Sequence, residues 1–593
     1  MITACFWLCV AILVSSALYS MVLSVRKQYG GILNPTNVLF VGVLAASFVL
    51  YFPAYFAQES GDPFQLFKSL LFTANTAMDT FAGGGDYGLI KDTVSGDLQY
   101  VYSLLAALLM LLAPVLTLSV VMSFFGNILS SFRYMMVYFR DVYIFTELNE
   151  RSLTLAQDLV KQDKNRVTVF TSVPVSDDSA EELRNRAKKL GAILCPKDAL
   201  SVKFYIHDSS KSIHFFAIAL DESANLEQAL RLVSAYGNRP NSHLYVFSSN
   251  TEGEVLLSSS ARRAMKVRRV DPVQSLIYRH LYDDGRILFE HALPNAEGYR
   301  TVTAVVVGMG KHGTAMMKAL SWYCQMDGYR VRIDGFDRDG AAEERFCAQC
   351  PELMDPRYNG VFVDGEAQYS IRIHAGVAVD TKTFVDRIHS LSDATYVLVA
   401  LGSDSLNIQT ALQLRMLFEQ CGAKPVIQAI VESSDKRRAL KNLKNYRGQP
   451  YGIDFIGDLE SSYTEAVIID SELEQEALRR HLRWGEEAEF WSYEYNYRSS
   501  MALAVHARAK IYCGIPGADK TLEELEKLPQ ERDHLEKLEH RRWNAYMRSE
   551  GYIYSGSPEK NSRNDLGKMH HDLVSFDKLT DEEKRKDSRV GSA

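Results

Sequence analysis

The sequence predicts an α-helical membrane domain followed by two parallel α/β domains and a smaller, mainly helical domain. Three observations lead to this order. Hydrophobic residues make up 47% of the 593-residue chain, and they are concentrated near its N-terminus. From Asp141 onward, short apolar strands alternate with helical patterns, which is typical of parallel α/β units. The last hundred or so residues lose that alternation, and the length itself suggests about four domains.

Three apolar segments in the N-terminal domain, residues 1–130, are long enough to cross a membrane. They are Met1–Val25, Asn37–Ala57 and Tyr100–Leu129. Each reaches the roughly 20 helical residues that span a hydrocarbon core of about 30 Å. We interpret the first as an uncleaved anchor rather than a signal peptide, because it lacks a basic segment before its apolar core and an evident cleavage site.

Basic residues around these segments predict the orientation of the chain. Basic pairs follow the first and third segments, whereas residues 58–99 are poor in Lys and Arg; the pairs are Arg26 with Lys27 and Arg133 with Arg140. The positive-inside rule then places the N-terminus outside and everything after about residue 130 in the cytoplasm. The expected location is the inner (plasma) membrane of the cell.

A glycine-rich turn lies between the second and third apolar segments. Residues 64–90 hold a short amphipathic stretch followed by Phe-Ala-Gly-Gly-Gly-Asp-Tyr-Gly at 81–88. Irregular backbone at membrane depth is tolerated only where protein buries it or where it lines an aqueous path. We interpret 64–90 as a re-entrant loop that lines a pore from the outer face, with an ordinary extracellular turn as the alternative. The pore and filter residues are then Phe81, Ala82, Gly83, Gly84, Gly85 and Asp86, whose carbonyl groups are free to face an ion.

The clearest α/β unit begins at Thr301, in the domain predicted over residues 301–485. An apolar strand is followed by Gly-x-Gly-x-x-Gly at 308–313 and then by a helix. In that context the glycines serve a tight turn, close approach of the backbone to a phosphate, and close packing of helix on strand. This is the pattern of a dinucleotide-binding Rossmann unit, and the alternative is a Rossmann scaffold whose glycines serve packing alone.

An acidic residue after the second strand of this unit is positioned for a ribose. Asp337 is our assignment, and Asp334 is the alternative. NAD(H) or another nucleotide is the expected ligand, and no covalent cofactor is expected. The predicted nucleotide-binding residues are Gly308, Gly310, Lys311, His312, Gly313 and Asp337, because a helix N-terminus attracts anions through its free N–H groups and its dipole.

An earlier copy of the α/β pattern, residues 141–300, lacks these glycines. Glu147, Asn149 and Ser152 occupy their places. Since a carboxylate facing a phosphate disfavours binding, we expect no dinucleotide in this copy. The repeat itself predicts two tandem Rossmann-like domains.

Three membrane helices, a re-entrant loop and two Rossmann-like units together resemble potassium-channel-like proteins with tandem regulator-of-potassium-conductance (RCK, TrkA-N-like) domains. The resemblance covers about residues 30–475 and includes residues 145–153 and 270–281. It implies a homotetramer around one pore, a cytosolic ring that pulls on the inner helices, and Pro114 as a gating hinge where the inner helix bends.

The filter departs from the Thr-Val-Gly-Tyr-Gly-Asp pattern of that family. Phe81 stands at the place of the threonine and Gly84 at the place of the tyrosine, whereas two glycines and Asp86 match. Rings of carbonyl groups and an acidic mouth still favour cations. The departure puts strict selectivity for potassium in doubt.

The last predicted domain, residues 490–593, carries three short motifs. They are Glu-His-Arg-Arg-Trp at 539–543, a Gly-Tyr turn at 551–552 and Phe-Asp-Lys-Leu at 576–579. These resemble the prokaryotic form of the ryanodine-receptor (RyR) repeat, and the resemblance implies a sensor of nucleotide-derived signals with a role in antiphage defence. Aromatic and basic groups stack on and pair with an anionic aromatic ligand, so the expected ligand residues are Glu539, Arg542, Trp543 and Tyr552. Packing in a small core is the alternative for Trp543.

Charge and cysteine content exclude other classes. A net charge of -7 with no basic stripe argues against a nucleic-acid partner. Cys347 and Cys350 have a zinc-like spacing but no second pair, so we expect reduced thiols and no metal.

The sequence therefore predicts a ligand-gated channel for cations, potassium among them, and not an enzyme. A membrane-anchored NAD-dependent enzyme is one alternative. It is disfavoured because the Rossmann-like units hold no Tyr-x-x-x-Lys pair and because a simple anchor does not need three spans with a glycine-rich loop. A regulatory subunit of a separate cation transporter is the other alternative.

Overall fold

The structure is a computed structural model, and it describes residues 2–26, 35–94, 96, 98–135, 140–173, 178–201, 210–250, 264–363 and 366–584. The chain divides into two compact units. The first, the membrane unit, holds Met1–Tyr138 with Val173–Asn185 and Ile193–Pro196. The second, the α/β unit, holds Phe139–Ser172, Arg186–Ala192 and Lys197–Ala593.

Three described helices of the membrane unit are long and apolar enough to cross a membrane, which confirms the three predicted segments. These helices are Ile2–Arg26, Pro35–Gln58 and Leu98–Met135. Pro114 lies inside the third helix, as the hinge assignment requires. A proline there removes one backbone hydrogen bond and favours a bend at that level.

Two shorter helices lie between the second and third of these long apolar helices. Gln65–Phe81 has 17 residues, and Tyr87–Thr93 has 7. At 1.5 Å per residue the longer one measures about 26 Å, less than a hydrocarbon core of about 30 Å. It packs against both neighbouring spanning helices, and its last residue, Phe81, contacts Phe40 with ring centroids 4.6 Å apart.

The α/β unit contains two parallel sheets, which confirms the predicted fold class of residues 141–485. In the first Rossmann-like region the strands are β1 (Val142–Phe145), β2 (Val167–Phe170), β3 (Ile193–Leu194), β4 (Ile213–Ala217), β5 (Ser242–Phe247) and β6 (Lys266–Val270). The five of these that belong to the α/β unit run in the parallel order β2-β1-β4-β5-β6.

The second sheet has the strand order of a doubly wound nucleotide-binding fold. Its strands are β7 (Leu293–Pro294), β8 (Arg300–Val307), β9 (Tyr329–Asp337), β10 (Tyr369–Ala375), β11 (Tyr396–Val399), β12 (Val426–Ile430) and β13 (Ile453–Ile456). The parallel order is β10-β9-β8-β11-β12-β13, and β7 pairs with β8 antiparallel. The strand order reverses between β8 and β11, and ligands of such sheets bind at the carboxyl ends of the strands beside that point.

Helices connect or follow the strands of both sheets. In chain order from β1 to β7 they are Glu150–Gln162, Asp178–Lys189, Glu222–Tyr236, Pro272–Asp284 and Arg286–Glu290, and Asp178–Lys189 begins among residues of the membrane unit. In the second region they are Lys311–Tyr323, Ala342–Gln349, Lys382–Ser390, Asp404–Gln420, Ser434–Leu440, Leu459–Ser462, Glu465–Ile468 and Glu472–His481.

The C-terminal region is mainly helical, as expected. Its helices are Glu487–Ser492, Glu494–Tyr512, Leu522–Glu526 and Pro529–Ser549, with short 3₁₀ turns at Lys560–Ser562 and Phe576–Lys578 and a small sheet of β14 (Ile553–Tyr554) and β15 (Met569–His570).

One apolar core runs through the second Rossmann-like region and the C-terminal region. Trp322 is 1% exposed and meets Tyr278 and Tyr546 edge-on, with ring centroids 5.3 Å and 6.0 Å away. Polar contacts also cross the boundary, because His506 Nε2 lies 2.9 Å from the carbonyl oxygen of Gln325. The C-terminal region is therefore part of the α/β unit and not a separate body beyond it.

Replacing Trp322 by alanine tests this shared core. Removing a fully buried indole leaves a cavity on both sides of the boundary, so Trp322→Ala should lower the free energy of unfolding by about 3–5 kcal/mol. Thermal or denaturant unfolding of the solubilised protein measures this loss. Trp484→Ala is the control, because that side chain is 39% exposed and its loss should cost about 1 kcal/mol. Equal losses in the two variants would contradict the shared core.

Candidate functional site

The turn after the helix Gln65–Phe81 is built from main-chain atoms. Asp79 O accepts the N–H groups of Ala82 at 2.9 Å and of Gly84 at 2.8 Å. Gly83 and Gly85 have φ angles of 90° and 127°, which L side chains rarely adopt. Because residues 82–85 are alanine and glycine, their own polar groups at this turn are all main-chain groups.

Side chains of the second and third long apolar helices contact this turn. Thr117 Oγ1 donates to the carbonyl oxygen of Phe81 at 3.1 Å. A Cβ at Gly85 would lie 2.3 Å from Met110 Cε and 3.1 Å from the Tyr51 hydroxyl, so the chain passes close to both. Phe81 itself is buried, and its ring faces the core of the membrane unit. Of the predicted filter residues, Phe81 therefore braces the turn, whereas Ala82 to Gly85 are exposed.

Asp86 closes the turn as a helix cap. Its Oδ1 accepts the N–H of Leu89 at 2.9 Å, at the start of the helix Tyr87–Thr93. A carboxylate is stabilised at a helix N-terminus by the dipole and by this hydrogen bond. Asp86, the predicted acidic residue at the pore mouth, therefore also caps the helix Tyr87–Thr93.

Each of the three glycines after β8 has a different surrounding. Gly308 has a φ angle of 94°, and a Cβ there would lie 2.4 Å from Ala400 O. A Cβ at Gly313 would lie 1.8 Å from Gly308 O. Gly310 has no neighbouring atom within 4 Å of such a Cβ, and it caps the helix Lys311–Tyr323 without a side-chain hydrogen bond. The first and third glycines serve the turn and the packing, and the second faces open space, as a phosphate requires.

The two candidate acids of the second strand have different roles. Asp337 Oδ2 accepts the N–H of Met309 at 2.7 Å, and its Oδ1 accepts the N–H of Asp339 at 2.8 Å. Asp337 therefore holds the glycine turn. Asp334 is 1% exposed and lies 3.0 Å from His374 Nε2, so it faces the interior of the fold. This excludes Asp334 as the ribose ligand.

A cavity of about 460 Å³ lies at the carboxyl ends of both sheets. The second sheet contributes residues at the ends of β11, β12 and β13, and the first sheet contributes residues at the ends of β5 and β6; these are Ala400, Ile430, Ile456, Phe247 and Val270. Lys311 and His312 line the cavity among the predicted residues, whereas Gly308, Gly310, Gly313 and Asp337 lie outside its lining. Burial lowers the pKa of His312, with partial compensation from Asp271 and Glu432. The volume falls within the range of about 300–1,000 Å³ that is common for small-molecule sites.

The first Rossmann-like region fills the corresponding position with its own side chains. Asn149 accepts the N–H of Ser152 at 2.9 Å and donates to Glu147 Oε1 at 3.0 Å. Its helix N-terminus is therefore already capped by a side chain. This region lines the cavity with residues at the ends of other strands, β5 and β6. The glycine pattern in the sequence does not identify these residues.

The predicted ligand residues of the C-terminal region do not form one open surface. Glu539 and Arg542 are each 1% exposed, and Arg542 Nη2 lies 2.7 Å from Glu539 Oε1. Lys510 Nζ approaches the same carboxylate at 3.5 Å, and burial lowers the pKa of this lysine to about 8. These charges form an interior network, because the corresponding helix faces point into the shared core.

Two aromatic residues of the C-terminal region lie nearer the surface. Trp543 is half-buried, stacks on His540 at 5.8 Å and meets His570 edge-on at 5.0 Å. Tyr552 is 8% exposed, with its ring centroid 6.0 Å from that of Tyr495. Both are packed against neighbours, which agrees with the packing alternative stated for Trp543.

One side-chain group among the described residues has the composition of a metal site. The ligand atoms of His570, His571 and Asp572 lie within 4.8 Å of one another. The two imidazole rings are stacked, with centroids 4.9 Å apart and an interplanar angle of 6°. His570 Nδ1 accepts the main-chain N–H of Asp572 at 3.1 Å, so this nitrogen already has a hydrogen-bond donor where an ion would need its lone pair.

No protein-family model matches this chain, and no curated protein matches it either.

The three glycines after β8 should respond differently to alanine. Gly308→Ala and Gly313→Ala place a Cβ against main-chain atoms, so each should lower the free energy of unfolding by at least about 2 kcal/mol. Gly310→Ala meets no atom and has an ordinary φ of -71°, so its cost should stay within about 0.5 kcal/mol. Thermal unfolding of the three variants checks this order, and a large loss at Gly310 would contradict the open space beside it.

Proposed function

We propose that this protein is a nucleotide-gated cation channel. The observation that carries the proposal is the turn at residues 82–85, which follows a helix too short to span a membrane and consists of exposed alanine and glycine residues. Irregular backbone is stable at membrane depth where it is buried in protein or lines water. Carbonyl groups in rings replace the hydration shell of a cation.

The direction of the helix Gln65–Phe81 supports the same function. Its C-terminal end leads directly into the glycine turn, and the C-terminal end of a helix carries a partial negative charge. That charge favours a cation at the turn. Asp86 adds a full negative charge on the other side of the glycines.

We place the turn at the outer face of the plasma membrane and the α/β unit in the cytoplasm. The distribution of Lys and Arg supports this orientation, because basic residues follow the first and third spanning helices. In this arrangement a cytoplasmic nucleotide acts on the α/β unit, and the pore opens or closes through the inner helix that contains Pro114.

The helix Lys311–Tyr323 is the proposed route by which a nucleotide acts on the rest of the α/β unit. Its N-terminus lies at Gly310, where a phosphate binds in our proposal, and its far end carries Trp322 into the core shared with the C-terminal region. A shift of this helix therefore changes contacts in both regions. The C-terminal region adds a second input to the same element, which agrees with the sensor role that its resemblance implies.

Native mass measurement tests the assembly. One turn per chain cannot encircle an ion path, whereas four related by a symmetry axis can, so the protein in lipid nanodiscs should have the mass of a tetramer. The control is the same measurement at several protein concentrations. It separates a stable assembly from one that forms only at high protein concentration. A monomer or a dimer under these conditions would contradict the pore.

Replacing Asp86 by asparagine tests the proposed mouth of the pore. Asparagine is also a good helix cap, so Asp86→Asn keeps the hydrogen bond from Leu89 while it removes the charge. In planar bilayers the conductance for monovalent cations should fall about twofold or more at low ionic strength and recover at high salt, where charges are screened. Asp92→Asn is the matched control, because Asp92 is exposed on the helix that Asp86 caps. Equal currents in the wild type and in Asp86→Asn would remove Asp86 from the ion path.

A further inference from the structure

Two ion pairs join the first Rossmann-like region to the second across the cavity. Lys311 Nζ lies 2.8 Å from Glu222 Oε1, and Arg151 Nη2 lies 3.0 Å from Glu432 Oε1. All four side chains line the cavity. Arg151 and Glu222 come from the first region, so each pair connects the two sheets at their carboxyl ends.

The carboxylate of Glu222 accepts hydrogen bonds from Lys311 and Ser249. Besides Lys311, the main-chain N–H of Ser249 donates to Oε2 at 2.8 Å and the Ser249 hydroxyl donates to Oε1 at 2.8 Å. Burial alone would raise the pKa of Glu222, but the hydrogen bonds from Lys311 and Ser249 hold that pKa below its usual value. Glu222 is therefore an anion at neutral pH.

The position of Lys311 makes it the side chain that a bound phosphate would use. It is the first residue after Gly310, at the start of a helix whose cap supplies no side-chain hydrogen bond. A phosphate held by the N–H groups of that first turn lies within reach of the Lys311 ammonium. The side chain is 60% exposed, so a ligand has access to it.

We propose that Glu222 of the first region and the phosphate of a nucleotide compete for Lys311, so that nucleotide binding opens the Lys311–Glu222 contact between the two Rossmann-like regions. The inference rests on the proposed nucleotide site. The ligand class is a nucleotide with a phosphate or a pyrophosphate, because such a group brings negative charge to the helix N-terminus. By linkage, whatever weakens the contact strengthens nucleotide binding by the same factor.

The rest of the cavity suits the other half of such a ligand. Phe247 and Tyr463 form a stacked aromatic pair on its wall, with ring centroids 5.9 Å apart and an interplanar angle of 17°. Leu276 and Ile456 add apolar surface. An apolar and aromatic wall fits a base, whereas the charged groups at the Lys311 end fit the phosphate.

The Arg151–Glu432 pair has a different part in this arrangement. It lies on the same cavity but does not involve the helix Lys311–Tyr323. Glu432 does not compete with a phosphate at Gly310 for Lys311, because Glu432 binds Arg151 instead. This pair is therefore expected to keep the two regions together when the first contact opens.

Equilibrium binding to the full-length protein in lipid nanodiscs tests the competition. The probes are ATP and NAD⁺, which carry phosphate, and adenosine, which does not. Glu222→Gln keeps one of the two oxygens that accept from Ser249 and removes the charge. It should therefore tighten the binding of ATP or NAD⁺ about fivefold or more and leave the binding of adenosine unchanged. Glu227→Gln, on the same helix with a side chain that is 75% exposed, should change nothing.

Two further variants complete a double-mutant cycle. Lys311→Met should weaken the binding of ATP and NAD⁺. Adding Glu222→Gln to Lys311→Met should change that binding no further, because Lys311, for which Glu222 and the phosphate compete, is gone. Gly310→Asp should abolish binding of the phosphate probes. A cooperative thermal unfolding transition shows that each variant is folded. If Glu222→Gln is not folded, Glu222→Ala takes its place.

The inference is overturned if the charge-removing variant of Glu222 leaves the affinity for both phosphate probes unchanged or lower, or if it tightens adenosine equally. It is also overturned if neither the wild type nor that variant binds any phosphate probe. Binding is measured without ion current, so a protein that shows this competition but conducts no ions contradicts the proposed channel and leaves the inference standing. Nucleotide-gated currents with unchanged nucleotide affinity in the variant contradict the inference alone.

Discussion

The packing of the helix Lys311–Tyr323 joins the second sheet to the C-terminal region. At its start, Gly313 lies so close to Gly308 O that only a glycine fits, and this closeness places the helix N-terminus directly over the end of β8. At its end, Trp322 and its aromatic neighbours carry the same helix into the core of the C-terminal region. Because protein interiors are close-packed, a rigid helix held at both ends transmits displacement from one end to the other.

The membrane unit depends on a different constraint. In a hydrocarbon core every main-chain polar group needs a partner or water. At the turn, Asp79 O accepts two N–H groups and Thr117 donates to the Phe81 carbonyl, so the bonds around the turn stabilise its irregular path. The glycines are needed there because Gly83 and Gly85 have positive φ angles and because Met110 and Tyr51 leave no room for a side chain at Gly85.

Strong periodic signals explain why much of the fold could be predicted from the sequence. The three long N-terminal helices consist of apolar runs, β8 ends in one, and β9 alternates apolar and polar residues. The glycine pattern between strand and helix has few structural interpretations. The strand β10, Tyr369–Ala375, was not predicted; it lies at the edge of its sheet, and only two of its seven residues are buried. Edge strands carry weaker signals than buried ones.

The site was harder to predict, because its side chains come together only in the folded chain. Glu539 and Arg542 have the composition of a ligand-binding pair, but they neutralise each other inside the core, and charged residues on a helix give no sequence signal for burial. Glu222 and Ser249 are 62 or more residues away from Lys311 in sequence, and no motif marks them. Only the arrangement of the two sheets brings them to the cavity.

The two Rossmann-like regions therefore line different parts of one cavity. The second keeps the glycines and an uncapped helix N-terminus, whereas the first has Asn149 as a side-chain cap at the equivalent helix and supplies Glu222 and Arg151 to the opposite wall. A duplicated fold brings two sets of strand ends, and placing them face to face creates a cavity that neither sheet forms alone. In our proposal a charged ligand acts on the ion pairs that join the walls, because it can exchange with Glu222 at Lys311 while the apolar core stays in place.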